Sequence, residues 1–281
     1  MPAHSTDARP MLRVNDVTAT TACSIDQFDR VVVEAPLAIT VDQQTLLTTM
    51  RTPGHDEELA VGWLLSEAEI TSPTDIISVE RVGASELRGW GVEGESAVDT
   101  VLAELGVGVV PPRPRAYLTS SSCGVCSSDV LATTPRPTVA LTSVDWVITP
   151  QVAHALIHNM RSEQKMFDLT GSLHAAGLAG PDNKMLVVRE DVGRHNAVDK
   201  VLGNAFLDGN FPLTDHILVV SGRVSYEIVT KALSASVAAI VAVSGPTTLA
   251  VDLARAHGLV LIGFTRDDRL NVYSGKGRVK L

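Results

Sequence analysis

The sequence predicts an α/β chain, α+β overall, with a small N-terminal sheet-and-helix domain followed by a layered α/β domain. Three observations carry this reading: short β-branched runs before residue 110, a proline cluster at 111–114, and a strand-helix alternation after residue 184. Residues 1–27 mix Pro, Ser, Thr, Asp and Arg without periodicity and read as a flexible tail. Residues 30–34, 37–41 and 44–49 are rich in β-branched side chains and broken by Pro36 and Asp42, which predicts a small antiparallel sheet. After Pro53 and Gly54, the acids Asp56, Glu57 and Glu58 suit the positive end of a helix, and Leu59, Trp63 and Leu64 share one of its faces to about Glu67. Residues 76–81 and 86–92 read as strands, while 97–105 fits strand or helix equally. Pro111, Pro112 and Pro114 forbid a helix interior and a central strand, so the boundary between a domain at 28–112 and one at 113–281 is placed there.

The second half has a different rhythm. Thr149 and Pro150 form an N-cap with proline at the first helical position, and Val152, Leu156, Ile157 and Met160 give a helical stripe running to about Lys165. Strands are then predicted at 184–190, 217–221, 237–244 and 259–264, with helices at 194–207, 225–235 and 247–257, the last closed by Gly258. Such alternation predicts a mainly parallel sheet covered by helices on both faces.

Composition narrows the function classes. Lys and Arg number 23 against 32 Asp and Glu, and a net charge of -9 argues against sequence-independent nucleic-acid binding. Mean hydropathy is +0.18, yet the longest apolar run spans only Val237 to Val243, where a membrane span needs about 18 residues or more. A soluble protein without a membrane anchor is expected. Three cysteines, two of them in a Cys-x-x-Cys, do not make a secreted framework, and residues 1–20 lack the apolar centre of a signal peptide, so a reducing cytoplasm is expected.

The sharpest chemical feature is Cys123-Gly-Val-Cys126 inside a run of serines. A thiolate is the form that attacks or carries sulfur, and a second thiol at this spacing can lower the pKa of the first or resolve its adduct. Three readings stay open: half of a zinc site, a dithiol redox centre, and a persulfide carrier. Zinc is the weaker, since a closed site needs four ligands and the chain has no second Cys pair, so no metal is expected on the protein. Thr170 to Gly177 resembles the His-x-Glu of zinc nucleobase deaminases, but Ala176 stands where the general-acid Glu would be, and the Cys pair precedes the histidine. His174 is kept as a helper only. The third feature is a set of turns after the predicted strands: 190–200 with Arg194 and His195, then Ser221-Gly222-Arg223, then Ser244-Gly245, then Phe264-Thr265-Arg266-Asp267-Asp268-Arg269. Parallel strands would gather these turns at one carboxyl edge, where helix N-termini offer N–H groups to anions, so a phosphate-bearing ligand is expected there.

Together these residues resemble the FdhD family of formate dehydrogenase accessory sulfurtransferases. The matching stretches are 34–39, 50–64, 122–126, 170–176, the long string Glu190-Asp-Val-Gly-Arg-His-Asn-Ala-Val-Asp-Lys200, 220–225, 244–247 and 263–273. Ser127 and Ser172-Leu173 depart from glycine-containing versions, which bears on loop flexibility more than on chemistry. The resemblance implies a cytoplasmic homodimer with a cytidine deaminase-like second domain. It implies a carrier that accepts sulfur from a cysteine desulfurase as a cysteine persulfide and passes it to the bis-molybdopterin guanine dinucleotide molybdenum cofactor before insertion into formate dehydrogenase. Under it Cys123 carries the persulfide, Cys126 assists, and 264–269 bind the cofactor. A rival from another class is a non-catalytic cofactor-binding chaperone whose cysteines serve only for contact.

Overall fold

A computed structural model describes residues 5–15, 23–68, 70–86, 97–114, 140–141 and 146–281. Three sheets are present among them. The smallest pairs β1 (Thr6–Asn15) with β2 (Cys23–Val32) as an antiparallel hairpin. This corrects the expectation of a loose tail over 1–27. Residues 7–10 and 28–31 are exposed without interruption, so these stretches show no alternation of buried and exposed side chains.

The second sheet has the order β4-β3-β6-β5, from β3 (Ala35–Val41), β4 (Gln44–Arg51), β5 (Ile76–Glu86) and β6 (Ala97–Leu105). The ambiguous segment at 97–105 is therefore a strand, and it lies parallel to β3. Residues predicted as separate strands at 76–81 and 86 are one strand, and the remainder of the second prediction, 87–92, lies outside the described residues. Helix α1 (Asp56–Glu67) follows β4 with three acids in its first turn, as predicted.

The third sheet has the order β12-β11-β10-β9-β7-β8. Its strands are β7 (His174–Ala179), β8 (Met185–Asp191), β9 (Ile217–Val220), β10 (Ala239–Ala242), β11 (Val260–Arg266) and β12 (Arg269–Ser274). The helices are α2 (Pro150–Ser162), α3 (Lys165–Thr170), α4 (Arg194–Leu207), α5 (Tyr226–Ser234) and α6 (Thr248–His257). Thr149 caps α2 by accepting from the Val152 N–H, and Gly258, at φ 68°, ends α6. The stripe expected to run to Lys165 breaks after Ser162, and a separate short helix begins there.

The sheet is less parallel than predicted. Only β9, β10 and β11 pair in parallel, while β7 runs against both β8 and β9 and β12 folds back on β11. Strand direction leaves no trace in the apolar composition of a short buried strand.

Strand side chains alternate between two apolar layers. Ile217, Val219, Val241 and Ile262 face α2 through Leu156 and Met160. Leu218, Val220, Ile240 and Leu261 join α4, α5, α6, α1 and the inner face of the second sheet in one continuous core. The proline stretch therefore marks a change of sheet, not a break in packing.

Contact between the two halves centres on α1 and α4. A Cβ on Gly62 would fall on the Asp199 carbonyl, and one on Gly203 would fall on the Glu58 carbonyl, so the two backbones touch where only hydrogen fits. We expect Gly62→Ala or Gly203→Ala to lower unfolding free energy by about 1–3 kcal/mol or more, since overpacking outweighs the ~1 kcal/mol helix-propensity gain. Gly277→Ala, which meets no atom within 4 Å, should stay within about 0.5 kcal/mol in the same urea titration.

Candidate functional site

The reversed strand β7 preserves the geometry that the turns require. Because it runs against both neighbours, β8 points the same way as β9, β10 and β11. The turns at Asp191–Gly193, Ser221–Val224, Ser244–Thr247 and Arg266–Asp268 consequently share one edge. His174, first residue of β7, starts at that same edge.

The β8 turn is built by Asp191, which is fully buried. Its Oδ1 accepts from Gly193 N at 2.8 Å and Asn196 Nδ2 at 3.0 Å, and its Oδ2 accepts from Thr52 N at 3.1 Å and pairs with Lys200 Nζ at 2.7 Å. Lys200 also donates to Thr52 O, Asn196 to Met50 O, and Val192 N to Thr52 Oγ1. One carboxylate thus ties the start of α4 to the end of β4. Nearby, Arg189 grips Glu58 bidentately at 2.6 and 2.7 Å. Burial would raise the Glu58 carboxyl, but hydrogen bonds from Arg189 and His55 hold it down at about 2.

Arg194 and His195 open α4. His195 is 7% exposed and its Nε2 lies 3.1 Å from Ser225 Oγ. Burial, then the charges of Arg194 and Lys231, push its pKa down to about 3. His174 is lowered too, by burial first and then by Arg194. Both imidazoles are neutral at pH 7, so the positive charge of this edge resides on its arginines.

In the β9 turn, Ser221 is spent on the sheet: its N–H donates to Ala175 O, and its Oγ accepts from Ala175 N. The Ser221 N–H is therefore already engaged within the sheet. The Gly222 and Arg223 N–H groups make no hydrogen bond among the described residues, and Arg223 is exposed. A Cβ on Gly222 would stand 3.4 Å from His174 Nδ1 and 3.6 Å from Arg194 Cδ, so these three residues adjoin.

The β10 and β11 turns interlock. Phe264 sits at φ 51°, a rare conformation for an aromatic residue, and its N–H donates to Ser244 O at 3.2 Å. Its ring lies against Gly245, where a Cβ would come within 2.7 Å of it. Arg266 stacks over the same ring at 5.7 Å. Thr265 is fully buried and presents no surface to a ligand, while Arg266, Asp267, Asp268 and Arg269 are exposed at the β11–β12 turn. Arg223, Arg266 and Arg269 form no ion pair among the described residues. Cys123 and Cys126 lie outside the described residues. Among those described, no group of three or more His, Cys, Asp or Glu side chains is placed to hold a metal ion, and no helix is long and apolar enough to cross a membrane.

A family model for FdhD/NarQ matches residues 32–280. The chain belongs to the FdhD/NarQ family. The sulfur carrier protein FdhD of Streptomyces coelicolor is 40% identical over 98% of this chain and 96% of its own. That of Saccharolobus solfataricus is 37% identical over 89% and 91%. In three dimensions this FdhD/NarQ chain superposes with a TM-score of 0.73 on a candidate formate dehydrogenase accessory protein from Desulfotalea psychrophila, at 20% identity over 98% of this chain and 100% of that one, a likeness of fold.

Sequence reading placed Arg194, His195, Arg223, Gly245 and the 264–269 segment at one edge, where they are found. It missed Asp191 as the tie to the N-terminal half, and Ser225 as the partner of His195. The long string 190–200 held a signal for the first, since Asp191, Asn196 and Lys200 all lie within it.

The depressed His195 pKa has a consequence for stability. The unfolded imidazole binds a proton near its ordinary 6.5 and the folded one only near 3, so stability falls as pH drops below about 6.5. The loss from this residue is about 2 kcal/mol by pH 5. In His195→Asn, which cannot titrate, urea unfolding at pH 7.5 and pH 5 should differ by correspondingly less than in the wild type.

Proposed function

We propose that this chain carries sulfur as a persulfide on Cys123 and delivers it to the bis-molybdopterin guanine dinucleotide molybdenum cofactor destined for formate dehydrogenase. The observation that carries the ligand half of this reading is the edge itself. Gly222 leaves its turn without a side chain, α4, α5 and α6 start there, and Arg223, Arg266 and Arg269, which form no ion pair among the described residues, flank the edge. A dinucleotide arm, with its pyrophosphate and purine, suits a site with cations beside an aromatic ring at Phe264. The sulfur half is supported by the named sulfur carriers at about 40% identity across nearly the whole chain.

In the transfer, the Cys123 thiolate attacks the outer sulfur of a persulfide on a cysteine desulfurase. The donor S–S bond breaks, the donor cysteine leaves as thiolate, and a new S–S bond forms on Cys123. Cys126 then assists by lowering the Cys123 pKa or by resolving a misplaced adduct. The protein acts as a cytoplasmic homodimer in this reading, and light scattering that gives a monomer would remove that part.

After incubation with a desulfurase and cysteine, intact mass should rise by about 32 Da on one cysteine, and not at all in Cys123→Ala. A reversible loss of about 2 Da would mark a dithiol oxidoreductase instead, and nucleotide binding with no sulfur gain a chaperone. Separately, replacing both Arg266 and Arg269 by Ala should weaken GDP binding by calorimetry about tenfold or more, the worth of one charge-assisted hydrogen bond. Unchanged affinity would place the ligand elsewhere.

A further inference from the structure

Ser225 stands at the N-cap of α5, yet its hydroxyl makes no bond to that helix's N–H groups. It meets His195 Nε2 at 3.1 Å instead. The same nitrogen faces Glu227 Oε2 at 3.5 Å. That oxygen is sealed from solvent and has no hydrogen-bond partner among the described residues. The other Glu227 oxygen is 3.9 Å from Lys231 Nζ, which is already committed to Asp199 Oδ1 at 2.8 Å and to Ser66 Oγ at 3.1 Å.

A carboxylate can only accept, and a buried one short of a donor calls for the nearest N–H. Here that is His195 Nε2. Burial and the charges of Arg194 and Lys231 oppose an imidazolium, so the ring has one proton to place. A proton on Nε2 bonds the Ser225 hydroxyl oxygen and places its positive hydrogen end beside Glu227 Oε2 at 3.5 Å, and Nδ1 is then left with a lone pair. Nδ1 makes no hydrogen bond among the described residues, and the residue sits in the first turn of α4 beside Arg194 at the shared edge.

We propose that Glu227 is a positioning residue which, with Ser225, keeps the proton of neutral His195 on Nε2, so that Nδ1 takes an N–H or O–H donor of the bound nucleotide and not a phosphate oxygen. The ligand half rests on the nucleotide reading given above. The division of labour is then chemical: arginines take the phosphates, and His195 takes a donor from the base or the ribose.

The full-length protein with 15N-labelled histidine tests this by NMR. The wild-type His195 should show Nε2 protonated and Nδ1 bare. Glu227→Gln can turn its amide N–H toward Nε2, so the proton should move to Nδ1, while Glu227→Asp should keep it on Nε2. By calorimetry, Glu227→Gln should weaken GDP about fivefold or more and leave inorganic pyrophosphate unchanged, with Glu227→Asp recovering most of the loss. Inosine diphosphate lacks the exocyclic amino group and 2′,3′-dideoxy-GDP lacks the ribose hydroxyls. The analogue whose affinity no longer responds to Glu227→Gln identifies the donor. A wild-type proton on Nδ1 overturns the proposal even if the variants fail to fold, and so does an unmoved proton in Glu227→Gln or an equal loss of pyrophosphate. A wild type that binds no GDP while the proton follows Glu227 overturns the nucleotide reading and leaves the tautomer assignment standing.

Discussion

The position of α4 is the constraint on which the site depends, and it is fixed by contact of bare backbones at Gly62 and Gly203. Helix axes usually stand about 8–10 Å apart, with the distance set by the side chains between them. Removing those side chains brings α1 close enough that polar groups beside the crossing can reach across it. Glu58 reaches Arg189 and Asn204, and Ser66 reaches Lys231. Buried charges of this kind cost desolvation and contribute little net stability when compared with apolar packing. Their geometry is another matter. Asp191 has four partners on three segments, and any slip of α4 would leave a buried charge short of them. The first turn of α4, with Arg194 and His195, is held in register by the same bonds that join the two halves of the chain.

A mixed sheet with this strand order gathers its turns at one edge as a parallel one does. Inserting β7 in reverse between β8 and β9 leaves four strands pointing one way, separated in space by a fifth whose starting residue, His174, faces the same edge. The rule that ligands bind outside the carboxyl ends of strands depends on helix N-termini and turns being gathered, not on each neighbour being parallel. That is why the expected cluster of turns is present although the predicted pairing is not.

The same distinction explains what the sequence made legible. The bounds of α4 agree with the sequence reading to the residue, because an apolar helical face runs from a glycine turn to a polar stop. The β1–β2 hairpin was invisible because 7–10 and 28–31 are exposed on successive residues, so nothing there selects alternation. Among site residues, Arg223, Gly245 and Arg266 could be found from local turn chemistry alone. Ser225 and Glu227 could not: their significance lies in a contact with His195, some thirty residues earlier in the chain, and a serine before a helix reads as an ordinary cap.

Charge at the edge follows from these placements. The chain is acidic overall, at -9, so the long-range field repels an anionic ligand, and attraction has to be local and short-ranged. Two histidines beside the arginines could have strengthened that attraction by taking protons. Burial and the arginines themselves keep both neutral. The outcome is an edge whose cationic groups are few and fixed in number across neutral pH, with two neutral imidazoles beside them. Arg266 is restrained further by its stacking on Phe264, whose own strained backbone is held by the Ser244 carbonyl and the bare face of Gly245. Strain of this size persists only where surrounding packing over-determines it. Here the packing that does so is the pair of turns that would have to cradle the ligand, so the cost of holding Phe264 and the order of the cradle have the same origin.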